Sequence, residues 1–319
     1  MFGFIMRRLV LLITTFGLLT VILFWVHIRL NSIDITRFIP EYLSYSSHLL
    51  RLDFGTNSET GASILEEIKL YLPHTAVLLT LSLVLALILG SILGISGGMW
   101  HRSLGDRLLR TFCRLTNSIP VYWLAQLLII VFAVKLRLLP STGNFNLLLD
   151  MPEDTGFLLI DVLKSGNLVY ITDVLKHLIL PVATIMIMPC AEITSITRKA
   201  TLDVMSSNYV RAAYSHGASN FTIAIHHILP NILPSLLPHL SIIICNIFSA
   251  CILVETVFEW PGVGFWLTQS VTASQNEVIE ACVFVLGTGL LIINIGTEIL
   301  CALFFKNNRR TTAAGEDPF

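Results

Sequence analysis

Four runs free of charged side chains, residues 9–26, 75–99, 115–134 and 236–254, restrict this chain more than any other feature. Each is close to the roughly 17–25 residues a helix needs to cross a hydrocarbon layer about 30 Å thick. Two further runs, 177–191 and 281–297, each continue past a single glutamate, so six crossing helices are expected. Barrel strands alternate apolar and polar positions over about ten residues, whereas these runs are apolar throughout. Composition agrees: 54% of the residues are hydrophobic and 13% charged, and a soluble domain carries about twice that charge. The expected fold is an all-α polytopic membrane protein.

The first run has the basic start and apolar core of a secretory leader. It leads into "WVHIRLNS" rather than a small-residue cleavage site, so an uncleaved N-terminal helix over 1–28 is expected. Orientation is set by lysine and arginine. With the N-terminus inside, Arg7, Arg8, Arg102, Arg107, Arg110, Arg114, Arg198, Lys199, Arg211, Lys306, Arg309 and Arg310 all face the cytoplasm. The outer loops carry most of the acids, and the positive-inside rule then puts both termini in the cytoplasm. A net charge of −1 conceals this asymmetry, and no nucleic-acid partner is expected. The six cysteines lie in or beside spans with no C-x-x-C pair, as small apolar filler.

An outer loop over 29–72 is expected to contain a short helix capped by Ser63, with Pro73 near the start of the second span. The stretch "GGMWHRSLGDRLLR" closes the second span with glycines and starts an amphipathic, Arg-rich interfacial stretch before the third run at 115. A second long outer loop starts at "LRLLPSTGNF" and continues through Asp150, Glu153, Asp154, Asp161 and Asp173. A core over 73–305 is followed by a cytoplasmic tail, 306–319, whose "NNRRTTAAGEDPF" has a disorder-like composition.

One polar island interrupts this apolar chain. "YVRAAYSHGASNFTIAIHHILPNILP" begins at Tyr209, at the centre of an inner segment over about 203–234. Ser206, Ser207 or Asn208 can cap a first helix, Gly217 supplies a left-handed C-cap, and Ser219 caps a second helix that Pro230 is expected to end. Helices this short are marginal alone in water, so something must pack on them. Ala212 and Ala213 beside Gly217 make a low-relief surface suited to a groove on another protein.

The same stretch resembles the EAA signature of binding-protein-dependent ABC importer permeases: E-A-A, three residues, glycine, about nine residues, then I-x-L-P. Arg211 stands in place of the glutamate, followed by Ala212, Ala213, Gly217, Ile228, Leu229 and Pro230. "DFGTNSETG", "NSIPVYWLAQLL", "LPSTG" and "ETVFEWPGVG" are similar to the dipeptide/oligopeptide branch, and the long second outer loop to its Sap-type antimicrobial-peptide systems. The resemblance implies a type I importer architecture in a bacterial inner membrane, with Tyr209, Arg211, Ala212, Ala213, Gly217, Ile228, Leu229 and Pro230 docking a cytoplasmic ATPase. Implied partners are a second, homologous permease forming a heterodimer, two ATPases, a periplasmic binding protein and membrane lipid. The chain itself would bind no cofactor: ATP belongs to the partners, and no G-x-x-x-x-G-K-[ST] occurs here. Cationic peptides are the expected cargo, with putrescine or haem as alternatives. An ATP-independent channel or receptor is the rival from another class.

Acids within spans default to functional roles. Glu192 could line the pathway or pair with Arg198 or Lys199. Glu255, with Trp260 and Gly262 in "ETVFEWPGVG", could line it too, face water, or bond the following turn; Glu298 lies near the inner interface beside Lys306. Metal binding by His216, His226 and His227 is disfavoured, since adjacent helical histidines point about 100° apart. Asn246 and Asn294 read as interhelical hydrogen-bonding groups. Pro230, Pro234 and Pro238 suggest a stiff, kinked lever from the island into the fifth span. With no G-x-S-x-G or H-E-x-x-H, catalysis is not expected.

Overall fold

The computed structural model describes residues 2–31, 38–149, 151 and 155–313, with side chains left aside in parts of both terminal helices. Asp150, Glu153, Asp154 and the last tail residues, 314–319, lie outside the described residues, as do the side chains of Lys306, Arg309 and Arg310. Helices account for nearly all regular structure; among the described residues an isolated bridge, Thr56 to Ser63, is the only β pairing.

Five helices are long and apolar enough to cross a membrane, and a sixth crossing arises if one bent pair is a single span. The five are α1 (Phe2–Asn31), α3 (Ile64–Met99), α7 (Leu168–Met205), α10 (Leu229–Val257) with the short turns leading into it, and α12 (Asn276–Ala313). The bent pair is α4 (Leu104–Thr116) and the helix over Val121–Lys135, which turn by 109° across a four-residue break. The bend falls inside the expected third run, 115–134, whose first two residues end α4 and whose remainder from Val121 belongs to the next helix. Residues 115 and 116 belong to α4, whose Arg107, Arg110 and Arg114 favour the interface, and Pro120, lacking an N–H, sits at the start of the next helix. That helix is α5 (Val121–Leu128), extended by a π-helical stretch, Ile129–Lys135.

Two other expectations need correction. Helix α3 begins at Ile64, so Pro73 lies well inside it rather than near its start. Helix α12 continues through 306–313 where a disordered tail is expected. The remaining short helices are α2 (Phe38–Leu50), α6 (Leu158–Ser165), α8 (Asn208–Ser215), α9 (Asn220–Ile223) and α11 (Val263–Thr272).

The chain divides into two compact units. Unit one comprises residues 1–79, 125–181 and 250–295. Here α1 packs on α2 and the first half of α12, with Leu23, Leu49 and Phe284 buried at the centre. Phe24 is 1% exposed and meets the rings of Phe38, Tyr42 and Tyr45 at 5.2–5.4 Å. Most of α1 faces outward, with Ile13, Leu18, Ile22 and Trp25 more than half exposed. Such a surface is stable only against lipid or another membrane protein.

Unit two comprises residues 80–124, 182–249 and 296–319. Its central contact is a stripe of glycines on α3, Gly90, Gly94 and Gly98, laid on Ile193, Thr197 and Thr201 of α7. A Cβ on Gly94 would come within 2.6 Å of the Thr197 Cβ and 2.8 Å of the Thr194 carbonyl oxygen. The absent side chains are what let the backbones approach, as in small-xxx-small membrane packing.

Helix α4 is fixed to the same unit by a buried carboxylate. Ser103 caps α4 through the Asp106 N–H, and Asp106 accepts the Arg102 N–H at 3.1 Å. The Arg198 guanidinium donates to both Asp106 carboxylate oxygens, at 2.5 and 2.9 Å, and the Asp106 side chain is 0% exposed. Arg198 is thus paired across to α4 rather than with Glu192. Asp106→Asn should strand a guanidinium that is only 15% exposed. The cost of breaking a fully buried pair is about 3–5 kcal/mol; with Arg198 retaining some access to solvent, about 2 kcal/mol is expected. The measurement is a lowered Tm for the detergent-solubilised protein; an unchanged Tm would show that the pair does not hold α4.

Candidate functional site

Unit two carries the polar island as a folded surface feature. Ser207 precedes α8, Gly217 has φ +81°, and the Ser219 side chain accepts the Thr222 N–H to start α9. Around the glycine, the Gly217 N–H donates to the Tyr214 carbonyl at 2.9 Å and the Ala218 N–H to the Ala213 carbonyl at 3.1 Å. Such bonds satisfy carbonyls that a helix end leaves open. The Tyr214 hydroxyl donates to Asn220 Oδ1 at 3.0 Å, joining the two short helices.

Pro230 does not end the second helix. A π-helical stretch, Ala224–Ile228, follows α9 and runs directly into α10, with Pro230 in its first turn and Pro234 and Pro238 further inside. In the first turn of a helix the missing proline N–H costs little. The Asn231 side-chain amide donates to the His227 carbonyl at 2.7 Å, capping an acceptor at the junction. The island is therefore continuous with a membrane-crossing helix.

Burial separates anchors from presented groups. Val210, Ile223 and Ile228 are at most 1% exposed and hold the segment to unit two. Ile228, placed by sequence among the docking residues, is thus an internal anchor with no surface to offer. Tyr209 at 49% and Leu229 at 44% face outward, joined by Phe221 at 76% and Ile225 at 42%, which the signature does not include. Arg211, Ala212, Gly217 and Pro230 are exposed and Ala213 half-buried. Phe221 and Ile225 lie four apart, as residues on one face of a helical stretch do, so the signal was present in "NFTIAI".

The second group of candidate residues forms an elbow in unit one. Glu255, near the end of α10, is 0% exposed and receives the backbone N–H groups of Gly264 at 2.7 Å and Phe265 at 3.2 Å. These are free donors at the start of α11, where a carboxylate is favoured by both hydrogen bonding and the helix dipole. Gly262 lies so close that a Cβ there would run into the Glu255 carboxylate. The Thr75 hydroxyl accepts the Val263 N–H at 2.9 Å, and the Trp260 indole donates to the His74 carbonyl at 3.1 Å. Of the sequence alternatives for Glu255, bonding to the following turn is the geometry found. Glu255 and Trp260 (2% exposed) face the interior of the unit, so neither side chain lines a water-filled path in this conformation.

Glu192 is half-buried in unit two. Glu298, also in unit two, is half-buried.

The chain is 34% identical to the Escherichia coli K12 "putrescine export system permease protein SapB" over 308 residues, covering 94% of this chain and 95% of that one. It is 33% identical, over the same shares, to the Salmonella typhimurium "peptide transport system permease protein SapB". The "probable D,D-dipeptide transport system permease protein DdpB" of E. coli K12 is 32% identical over 82% of this chain and 77% of its own. Residues 86–310, which contain the island and the Glu255–Phe265 part of the elbow, match the family model, and the chain belongs to the binding-protein-dependent transport system inner membrane components.

Proposed function

We propose that the chain is the pathway-forming permease subunit of an ATP-driven peptide importer in a bacterial inner membrane. It pairs with a second, homologous permease, takes cargo from a periplasmic binding protein, and is driven by two cytoplasmic ATPases. The observation that carries this reading is the exposed aromatic and apolar set Tyr209, Phe221, Ile225 and Leu229, anchored by buried Val210, Ile223 and Ile228 in a segment that the Lys/Arg bias puts on the inner side. The relatives named for peptide or dipeptide transport support the cargo class. Putrescine is the second reading, favoured by the name of the E. coli K12 relative.

The mechanism rests on the continuity of the island with α10. An ATPase that closes on nucleotide moves what it grips, and only contacts that differ between its two states can bias the spans. A displacement of α8 and α9 enters α10 through the π-helical stretch without a flexible linker in between. ATP chemistry stays on the partner; this chain supplies the lever and the pathway.

A photo-cross-linking residue placed at Phe221 or Ile225 should capture the ATPase in membranes, with a yield that changes when nucleotide is trapped. The same probe at Leu147, 89% exposed in an outer loop, should not. If no inner-segment position yields an ATPase adduct, the docking assignment fails.

A further inference from the structure

Unit one contains a cavity of about 530 Å³ bounded by the outer end of α1, by α2 and by the start of α12. Its size lies in the range of small-ligand pockets, roughly 300–1,000 Å³. Phe24, Tyr45 and Phe54 supply aromatic walls, and Glu41, Asp53, Glu277 and Glu280 bring four carboxylates to one concave surface.

Glu280 is already committed. Its carboxylate meets His27 Nδ1 at 2.9 Å and receives the Tyr45 hydroxyl at 3.2 Å, with 9% of the side chain exposed. Burial raises the Tyr45 phenol well above its ordinary range, with the neighbouring Glu280 acting in the same direction, so the ring remains a neutral donor. Asp53 meets His48 Nδ1 at 2.9 Å. That bond and the Gly55 N–H hold its carboxyl below the usual range, so it is ionised at neutral pH, with Arg51 adding to the effect. Glu41 and Glu277 form no ion pair among the described residues. The cavity therefore combines aromatic faces with two carboxylates that have no ion pair among the described residues and a third, Asp53, whose only ion pair there is with exposed His48.

An anion would be repelled from such a surface, and a neutral apolar guest would leave the acids unpaired. An ammonium group satisfies both components, through charge-assisted hydrogen bonds to carboxylates and attraction to ring faces. We propose that this cavity binds a primary ammonium group carried on an extended chain, with Glu41, Glu277 and Asp53 as its acceptors and Tyr45 and Phe54 against its methylenes. Peptide and putrescine, for which the relatives are named, share that group. The site thus narrows the cargo to amines that enter from the outer side, an inference that rests on the reading of this chain as a cargo-conducting permease.

The test is calorimetry on the full-length chain in nanodiscs, without ATPase or nucleotide, so that its outcome is independent of whether the inner segment docks a partner. Putrescine, the dipeptide Lys-Ala, its doubly acetylated form and 1,4-butanediol are titrated in turn. Saturable binding is expected for an amine and absent for the acetylated and diol probes; the tighter of the two amines identifies a free polyamine or a peptide as the source. Glu41→Gln with Glu277→Gln should weaken the amine at least tenfold at unchanged Tm. Should that pair of changes lower Tm, exposed Asp53→Asn serves instead, with at least a threefold loss expected. Absence of saturable amine binding overturns the proposal, as does unaltered affinity in a folded variant.

Discussion

Gly217→Asp should leave the protein inserted in the membrane while transport falls at least tenfold and cargo no longer stimulates ATP hydrolysis. At Gly217 the backbone sits at φ +81°, and a Cβ added there meets nothing within 4 Å. The cost to the fold is then conformational, about 1–2 kcal/mol for a residue with a side chain in this region, and aspartate tolerates it better than most. The turn has independent support from the Ala218-to-Ala213 bond and from buried Val210 and Ile223 on either side. What changes is the outer surface, where a carboxylate now stands beside Ala212 and Ala213. A partner that closes on this edge must desolvate the charge or stand off. A loss of 1.4 kcal/mol in that contact is already tenfold. Gly217→Asn is the control for the backbone, having the same tolerance for positive φ without the charge, and should retain most of the transport. Wild-type transport by an inserted Gly217→Asp protein would show that nothing grips this turn. Equal loss in both variants would place the defect in the backbone and remove the argument from charge.

The parts of this fold that depend on periodic or punctuating residues are readable from sequence. Apolar length marks the spans, and Gly217 and Ser219 mark the turn of the island, because each acts through its own backbone or its nearest neighbours. Readings fail where a long-range partner decides. Proline at 230 reads locally as a stop, yet the π-helical stretch over 224–228 and the Asn231 amide let the helix run through it. Glu255 reads equally well as a pathway acid or a cap; only the fold brings the N–H groups of Gly264 and Phe265 to it and seals it from solvent. Arg198 has Glu192 six residues away in sequence, but its partner is Asp106, 92 positions away along the chain. Ile228 belongs to the signature by sequence, yet its side chain is buried at the end of the π-helical stretch Ala224–Ile228. Periodicity at 3.6 residues does not anticipate that register.

Gly94→Leu should abolish recovery of folded protein altogether, the largest effect on stability expected here. The four-residue spacing of Gly90, Gly94 and Gly98 places all three on one stripe of α3, where α7 comes closest. At Gly94 even a methyl group would sit 2.8 Å from the Thr194 carbonyl oxygen, which is backbone and cannot rotate away. Gly94→Ala is accordingly expected to destabilise, despite alanine's advantage of about 1 kcal/mol over glycine within a helix. Overpacking commonly costs 1–3 kcal/mol, so a loss of about 1 kcal/mol net and a lowered Tm are expected for alanine. Leucine cannot be accommodated without driving the helices apart, which would also remove the contacts at Gly90 and Gly98. Gly289→Ala provides the contrast: it lies in α12 with nothing within 4 Å of the added atom and should be neutral or slightly stabilising. Size-exclusion profiles and Tm of the detergent-solubilised variants decide the matter. If Gly94→Leu is recovered monodisperse with an unchanged Tm, the close approach of α3 to α7 is not what holds unit two together.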